Sequence, residues 1–319
     1  MIEEQKENKI MVSIISLAYN HASYIRECLD GFMMQKTNFA FEVLIHDDAS
    51  TDGTADIIRE YEAKYPDIIK PIYQTENQYS KGIPIGCTYL YPHAKGKYIA
   101  LCEGDDYWTD PFKLQKQVDF LESHPDYVMC STCYTEYNQS NDTFGQTLPK
   151  ISESGNITYT LNDYISNKVW YTQPLTSIFL NKKEVFDNYR NCKHRKDATL
   201  FYFILKCGKG MLFNESTGIY RHHEGGIWQG TTNLGRLLSD LKTIEGICEV
   251  DNAIESVGYL YNYMQEKGFL GKKFIIKHIN YYFSLIKIIV KKRDWKSGLN
   301  LCIKNLNVFV PLKNILRKI

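Results

Sequence analysis

Several things are missing from this chain, and each absence removes a class of protein. No run of about 18 uncharged apolar residues occurs. The best approach to one, 274–290, contains Lys277, His278 and Lys287, so no transmembrane span is expected. The opening stretch MIEEQKENKI is charged and has no apolar signal core, so no secretory leader is expected. The nine cysteines are odd in number and scattered, which argues against a secreted disulfide framework and for a reducing, cytoplasmic setting. The four N-x-S/T triplets, at Asn138, Asn141, Asn156 and Asn214, then carry no weight. Cys130 and Cys133 form one CxxC with no second pair at zinc spacing, and they lie in an apolar run that reads as buried strand. Gly82-Ile83-Pro84-Ile85-Gly86 lacks the Lys-Ser/Thr of a phosphate loop, and no GxSxG elbow, internal repeat or low-complexity tract is present.

What remains is an ordinary globular composition. Of 319 residues, 44% are hydrophobic and 24% charged, enough for one large domain or a domain with an appendage. The 24 tyrosines suit polar-aromatic surfaces without being diagnostic. The net charge of +1 is uneven: residues 266–319 hold 13 Lys and Arg against two acids, about +11, and leave about −10 for the rest. A basic tail of this kind often has an anionic partner.

Strand and helix signals alternate through the first 130 residues. MVSIISL (11–17) reads as a buried strand, and Asn20 or Ser23 is placed to cap a helix with Ile25, Leu29 and Phe32 on one face. FEVLIH (41–46), residues 68–73, KYIALC (97–102) and 127–133 read as further strands, with helices at 55–65 and from Pro111 to about Ser123 between them. This order predicts an α/β fold with a mostly parallel, doubly wound, Rossmann-like sheet. Residues 138–155 read as a polar loop, a helix starts near Asp197, and short strands follow at 211–213 and 218–220. From Thr232 the pattern is helical. We therefore expect an α/β domain over 1–230 and a basic α-helical extension over 231–319.

In doubly wound sheets ligands bind beyond the carboxyl ends of the strands. Two acid clusters fall there: His46-Asp47-Asp48-Ala49-Ser50-Thr51-Asp52 after the second strand, and Glu103-Gly104-Asp105-Asp106 after the fourth. Bare carboxylates so close would raise each other's pKa, and a divalent cation is the natural counter-charge. Asp52 and Asp110 are better read as helix caps. Asp105 and Asp106 stand too far ahead of the next helix for that role.

IISLAYN (14–20), HDDASTDGT (46–54) and AKGKYIALCEGDDYW (94–108) resemble, in order and spacing, three successive signatures of the family-2 inverting glycosyltransferases with a GT-A fold. The likeness runs more loosely to about residue 230. It implies a nucleotide diphosphate sugar donor, uridine-linked as the first expectation, and Mn²⁺ or Mg²⁺. By the same resemblance Leu17, Ala18 and Tyr19 would line the nucleobase pocket. Asp48, with Asp47, would meet the base or ribose. Glu103, Asp105 and Asp106 form the DXD-type motif, with Asp106 the main metal ligand, Asp105 facing ribose or metal, and Glu103 standing where aspartate is more usual. Lys81 is a cation able to touch phosphate. Asp197 matches the family's catalytic base, though its residue type equally suits an N-cap, and Lys196 replaces the family's first acid there. Tyr220-Arg221-His222-His223 resembles a later segment in which His223 would complete the metal shell or bind diphosphate; an exposed histidine pair on a loop is the plainer alternative.

The resemblance further implies a glycan or lipid-linked glycan acceptor and a setting in bacterial surface polysaccharide assembly (capsule, O-antigen or exopolysaccharide). No nucleic-acid partner is expected. Basic amphipathic stretches at 269–290 and 295–306 suggest peripheral attachment to the anionic inner membrane face. A sugar nucleotidyltransferase would need a glycine-rich basic loop near the start, and none lies between Leu17 and Cys28. A non-catalytic sugar-nucleotide or lipid-binding protein is the other alternative.

Overall fold

The computed structural model describes residues 9–151, 155–165, 172–225 and 233–251. The strands are β1 (Ile10–Ala18), β2 (Ala40–Asp47), β3 (Ile69–Tyr73), β4 (Tyr98–Leu101), β5 (Tyr107–Trp108), β6 (Tyr127–Asn138), β7 (Thr143–Leu148), β8 (Ile157–Tyr159), β9 (Ile178–Leu180) and β10 (Lys209–His222). The helices are α1 (Ile25–Met33), α2 (Thr54–Lys64), α3 (Lys113–Ser123), α4 (Leu161–Ile165), α5 (Lys183–Asn191), α6 (Asp197–Leu205) and α7 (Asn233–Val250).

One sheet runs β3-β2-β1-β4-β9-β6-β10-β5, with β7 on β6 and β8 on β10. The β3-β2-β1-β4 half is parallel, as expected of alternating strands and helices, and β6 and β10 also pair parallel. β9 enters antiparallel between β4 and β6, so the complete sheet is mixed. Val12 through Ser16 are buried because β1 is covered on both faces, and such a strand is mostly apolar; the buried Ser13 hydroxyl donates to Glu42 at 2.7 Å. Val12 and Ile14 pack with Ile25, Leu29, Phe32 and Leu114 of α1 and α3; Ile15 faces the opposite core, built with Phe201, Ile204 and Ile244 of α6 and α7. Gly96 explains part of the third signature. A Cβ there would lie 2.4 Å from the Ser13 nitrogen, so only glycine lets the chain enter β4 alongside β1.

Some local expectations needed correction. α1 is capped by neither Asn20 nor Ser23; it starts after Tyr24 with no side-chain cap. Asn20 is instead left-handed (φ 54°) and accepts the Thr51 N–H at 2.9 Å, which ties the β1 and β2 loops together. Nor are Asp52 and Asp110 the N-caps, which are Gly53 and Phe112 without a side-chain cap; Asp52 Oδ1 accepts the Thr54 N–H at 3.0 Å and Asp110 Oδ1 that of Phe112 at 2.9 Å in the turns just ahead of the helices. The expected polar loop at 138–155 contains β7, an exposed strand held by pairing to β6; with no buried face it shows no alternation to read. The two short strands at 211–213 and 218–220 are one bulged strand, β10. Cys130 and Cys133 are buried core residues, as read.

No helix among the described residues is long and apolar enough to cross a membrane. The basic stretch 266–319 and its two amphipathic segments lie outside the described residues.

Candidate active site

The loop after β4 folds back over the end of β1. The Gly104 N–H donates to the Leu17 carbonyl at 2.9 Å, and a Cβ on Gly104 would meet Ile25 Cδ1 at 2.8 Å and the Leu17 oxygen at 3.0 Å. A tight turn, Asp106 N–H to Glu103 carbonyl at 3.1 Å, then gathers the acids. Glu103, Asp105 and Asp106 present oxygens that all lie within 4.8 Å of one another. Burial and then Asp105 push the Asp106 carboxyl well above its ordinary range. Burial, Asp105 and Asp197 push Glu103 up to about 8. Burial also acts upward on Asp105, but its hydrogen bond to His223 and the nearby His21 outweigh it and hold the carboxyl low. Glu103 and Asp197 keep accessible surface while being ringed closely by protein atoms; they line a cleft and are not sealed in the interior.

Arg221 and His223 at the end of β10 close the site from the other side. The Arg221 N–H donates to Asp106 Oδ1 at 2.8 Å, its Nε to the Asp105 carbonyl at 2.8 Å, and its guanidinium to Glu27 at 2.6 Å and to Gln139. The same guanidinium lies 5.1–5.4 Å from the ring centres of Tyr24, Tyr107 and Tyr137. His223 Nε2 meets Asp105 Oδ2 at 3.1 Å, so the histidine reaches the acid that was expected to face the metal. His21 Nε2 stands 3.9 Å from the same oxygen. Arg221, Glu27 and His21 were not picked out from sequence. Arg221 belongs to the Tyr220–His223 segment and His21 directly follows the 14–20 signature, but nothing local marks Glu27, whose partner is 194 residues away.

Asp197 is the first residue of α6. The expected N-cap is one residue earlier, at Lys196, whose carbonyl accepts the Thr199 N–H at 2.9 Å. A carboxylate in the first turn still gains from the helix dipole. Burial raises the Asp197 pKa, and Lys196 opposes the shift. Its carboxylate has no side-chain hydrogen bond or ion pair among the described residues. Tyr91 and Tyr189 stand within electrostatic reach of it.

On the β1–β2 side, the Ala18 carbonyl accepts the Asp48 N–H at 2.9 Å, and Tyr19 is 47% exposed at the rim. Asp48 is buried, and its two oxygens accept the N–H groups of Gln78 (2.7 Å) and Tyr79 (3.0 Å), one each. Asp47 differs. Oδ2 accepts the Ser50 N–H at 3.2 Å, but the buried Oδ1 has no partner among the described residues. Lys81 pairs with Glu76 on the surface.

The three clustered acids fit a hard divalent cation. Asp105 Oδ1 is buried with no partner among the described residues, and an oxygen-only donor set suits Mg²⁺ or Mn²⁺, which take further ligands from water or phosphate.

Acids collected beyond parallel strand ends, faced by a carboxylate at a helix start, define a site of the GT-A glycosyltransferase type. The chain belongs to glycosyl transferase family 2, whose family model matches residues 13–189. It is 51% identical to Rv1520 of Mycobacterium tuberculosis over 119 residues, 37% of this chain and 34% of that protein. It is 35% identical over 126 residues to the UDP-Glc:alpha-D-GlcNAc-diphosphoundecaprenol beta-1,3-glucosyltransferase WfaP of Escherichia coli, 40% of this chain and 47% of WfaP. The matched region thus spans about a third to a half of these curated relatives. The fold is shared with S. aureus TarS 1-349 in complex with UDP-GlcNAc (TM-score 0.65, 19% identity, 88% of this chain and 81% of that one). It is also shared with the mannosyltransferase PcManGT of Pyrobaculum calidifontis in complex with GDP-Man and Mn²⁺ (TM-score 0.54, 16% identity, 96% and 78%).

Proposed function

We propose that this protein is an inverting glycosyltransferase that moves a sugar from a nucleotide diphosphate sugar, a UDP-sugar in the first instance, to a glycan or lipid-linked glycan acceptor. The observation that carries the reading is the Glu103–Asp105–Asp106 group, whose oxygens lie within 4.8 Å of one another, together with Asp197 at the start of α6, which acts electrostatically on Glu103 and has no side-chain hydrogen bond or ion pair among the described residues. A general base needs that combination of proximity and freedom.

In this reading Asp197 takes the proton of the acceptor hydroxyl as its oxygen attacks the anomeric carbon. The bond from that carbon to the β-phosphate oxygen breaks, the nucleoside diphosphate leaves, and the anomeric centre inverts. Asp105 and Asp106, with Glu103, would hold Mn²⁺ or Mg²⁺, which supplies charge neutralisation for the departing diphosphate. Arg221 fixes Asp106, and His223 orients Asp105. Leu17, Ala18 and Tyr19 border the nucleobase, and Asp47 offers its unpaired oxygen to the base or ribose. Asp48 shapes the Asn77–Tyr79 turn beside it, and Lys81 stays with Glu76 until donor arrives. The uridine and lipid-linked choices draw on the ligand named for TarS and the substrates named for WfaP. We place the enzyme at the cytoplasmic membrane face in surface polysaccharide assembly, with a catalytic unit over 1–230 and a basic extension over 231–319 that favours anionic lipid. Flotation with anionic liposomes, comparing the full chain with one ending at Lys267, tests the last point; equal flotation sinks it.

The deciding experiment is calorimetric titration of UDP with and without Mn²⁺ against wild type and Asp106→Ala. Metal-dependent binding lost in the variant is expected. Absence of binding with UDP, GDP and dTDP alike would overturn the reading. Asp197→Asn should bind UDP normally and lose transfer by about 100-fold or more.

A further inference from the structure

A cavity of about 500 Å³ lies beside β6, lined among the described residues by Tyr134, Leu148, Pro149, Lys150, Thr172 and Gln173. Its volume falls in the range of small-molecule sites, about 300–1,000 Å³. Leu148 is the cross-strand partner of Tyr134, and Pro149 and Lys150 follow it in the chain, so these four make one wall. Thr172 and Gln173 make the other, and that wall is tied to the acid loop. Trp108, two residues after Asp106, donates from Nε1 to the Leu175 carbonyl at 2.6 Å. The Thr176 hydroxyl donates to the Thr132 carbonyl at 2.9 Å, and the Ser177 hydroxyl to that of Gln173 at 2.7 Å. In the sheet order β2-β1-β4-β9-β6 the acid loop follows β4, with the nucleobase side at β1–β2 to one side of it and this cavity, at β6, to the other.

Three polar groups here are left over. Thr172 is 5% exposed, and its buried Oγ1 has no partner among the described residues. The Tyr134 hydroxyl and the Gln173 side-chain amide have no hydrogen bond either. The Tyr134 ring is held edge-on by Tyr220 at 5.9 Å between ring centres, and Tyr220 by His222 at 5.0 Å. Burial, then Glu136 and Asp106, push the Tyr134 hydroxyl up to about 12, so it stays protonated and can both donate and accept. Burial and then Asp106, Glu103 and Asp105 raise Tyr220 likewise, which puts this ring pair within electrostatic reach of the acids.

We propose that this cavity seats a neutral pyranose of the acceptor, with Thr172, Tyr134 and Gln173 bonding its hydroxyls and Leu148 and Pro149 meeting its C–H face. The inference rests on the glycosyltransferase reading above. A buried hydroxyl without a partner is costly in the protein alone, and a ligand hydroxyl satisfies it. A pyranose matches the lining: its edge carries hydroxyls that donate and accept, and its face is apolar. The lining holds no carboxylate or guanidinium among the described residues, and its one charge, Lys150, is exposed.

The test uses the full chain and the methyl pyranosides of glucose, galactose, mannose and N-acetylglucosamine. Each is soaked into crystals, and each is offered as acceptor, read as nucleoside diphosphate release from the UDP-, GDP- or dTDP-sugar that wild type turns over. One of them is expected in the cavity within hydrogen-bond reach of Thr172 Oγ1, and the same one should speed release. Thr172→Val should raise the KM for that pyranoside about tenfold, the equivalent of one hydrogen bond, with the donor KM unchanged. Tyr134→Phe should act in the same direction. Both variants delete hydroxyls that bond nothing among the described residues, so the Tm should stay level or rise, and a weaker acceptor cannot be put down to misfolding. Thr172→Val with the wild-type pyranoside KM overturns the proposal. So does a cavity that takes none of the pyranosides, or takes one that leaves release unchanged. With Mn²⁺-dependent UDP binding intact, those results sink this inference alone; a wild type that binds no UDP, GDP or dTDP sinks the glycosyltransferase reading and this inference with it.

Discussion

The main-chain N–H of Arg221 donates to Asp106 Oδ1 at 2.8 Å across 115 residues of sequence, while the guanidinium of the same residue bonds the Asp105 carbonyl and Glu27. One residue of β10 thus holds both neighbouring acids of the candidate metal site. Its side chain is 3% exposed in the pair with Glu27.

Arg221→Ala is expected to cost about 1–3 kcal/mol of stability, since it leaves the part-buried Asp105 carbonyl without its Nε–H donor and removes the cation–π contacts with three tyrosines. It should also weaken Mn²⁺-dependent UDP binding. Arg221→Lys should recover little, because a single ammonium cannot reproduce the fork. Thermal unfolding together with calorimetry checks both points; a lysine variant with wild-type binding would show that only the charge matters.

Asp47 and Asp48 should separate cleanly. Asp48→Ala releases the Gln78 and Tyr79 N–H groups and should lower stability by about 1–3 kcal/mol. Asp47→Ala gives up only the 3.2 Å bond from the Ser50 N–H, so it should lower the Tm less than Asp48→Ala, and it should weaken nucleotide binding about tenfold through Oδ1, which has no partner among the described residues. Equal effects of the two substitutions on the Tm would contradict this division of labour.

Metal binding should depend on pH through Glu103. Its pKa is raised to about 8 by burial, Asp105 and Asp197, so below that value the carboxyl carries a proton that an incoming cation must displace. Mn²⁺ affinity, measured by titration from pH 6 to 9, should rise and then level off above about pH 8. Glu103→Gln should flatten the rise. A profile indifferent to that substitution would remove Glu103 from the ligand set.

Lys113 is buried beneath Trp108, 4.2 Å from the ring centre, and donates to Gln117 at 2.7 Å. Burial lowers its pKa from 10.5 to about 8. The unfolded chain therefore holds this proton between about pH 8 and 10.5 and the folded chain does not, so this residue makes stability rise with pH in that window; below it the cost of the buried charge is fully felt. Lys113→Met should raise stability at pH 7 by about 1 kcal/mol, the lost bond to Gln117 offsetting part of the gain, and the advantage should shrink as pH climbs toward 10.5. Urea unfolding of both proteins at pH 7 and pH 9.5 is sufficient to see it.

Local chemistry made much of this protein legible in advance. Buried parallel strands are continuous apolar runs, helices start after turn residues, and ligand acids follow strand ends, so β1 to β4, α1 to α3 and the two acid loops can be read within windows of ten to twenty residues. Glycine carries a local message too, at Gly96 and Gly104, where a Cβ has no room. β7 escaped because it buries no face, and the antiparallel entry of β9 escaped because strand direction leaves no mark on periodicity.

By itself the sequence determined the order of elements, the family and the identity of the acids at the strand ends. These follow from spacings that a short stretch of chain encodes by its own sterics and polarity. The tertiary structure alone decided how those acids divide their work. Asp48 accepts bonds from a turn some 30 residues on, Asp47 Oδ1 meets no partner among the described residues, Arg221 is brought to Asp106, and Lys196 pairs with Asp240. Each outcome depends on which distant group arrives first within hydrogen-bond reach once the sheet has closed, and that competition has no local signature.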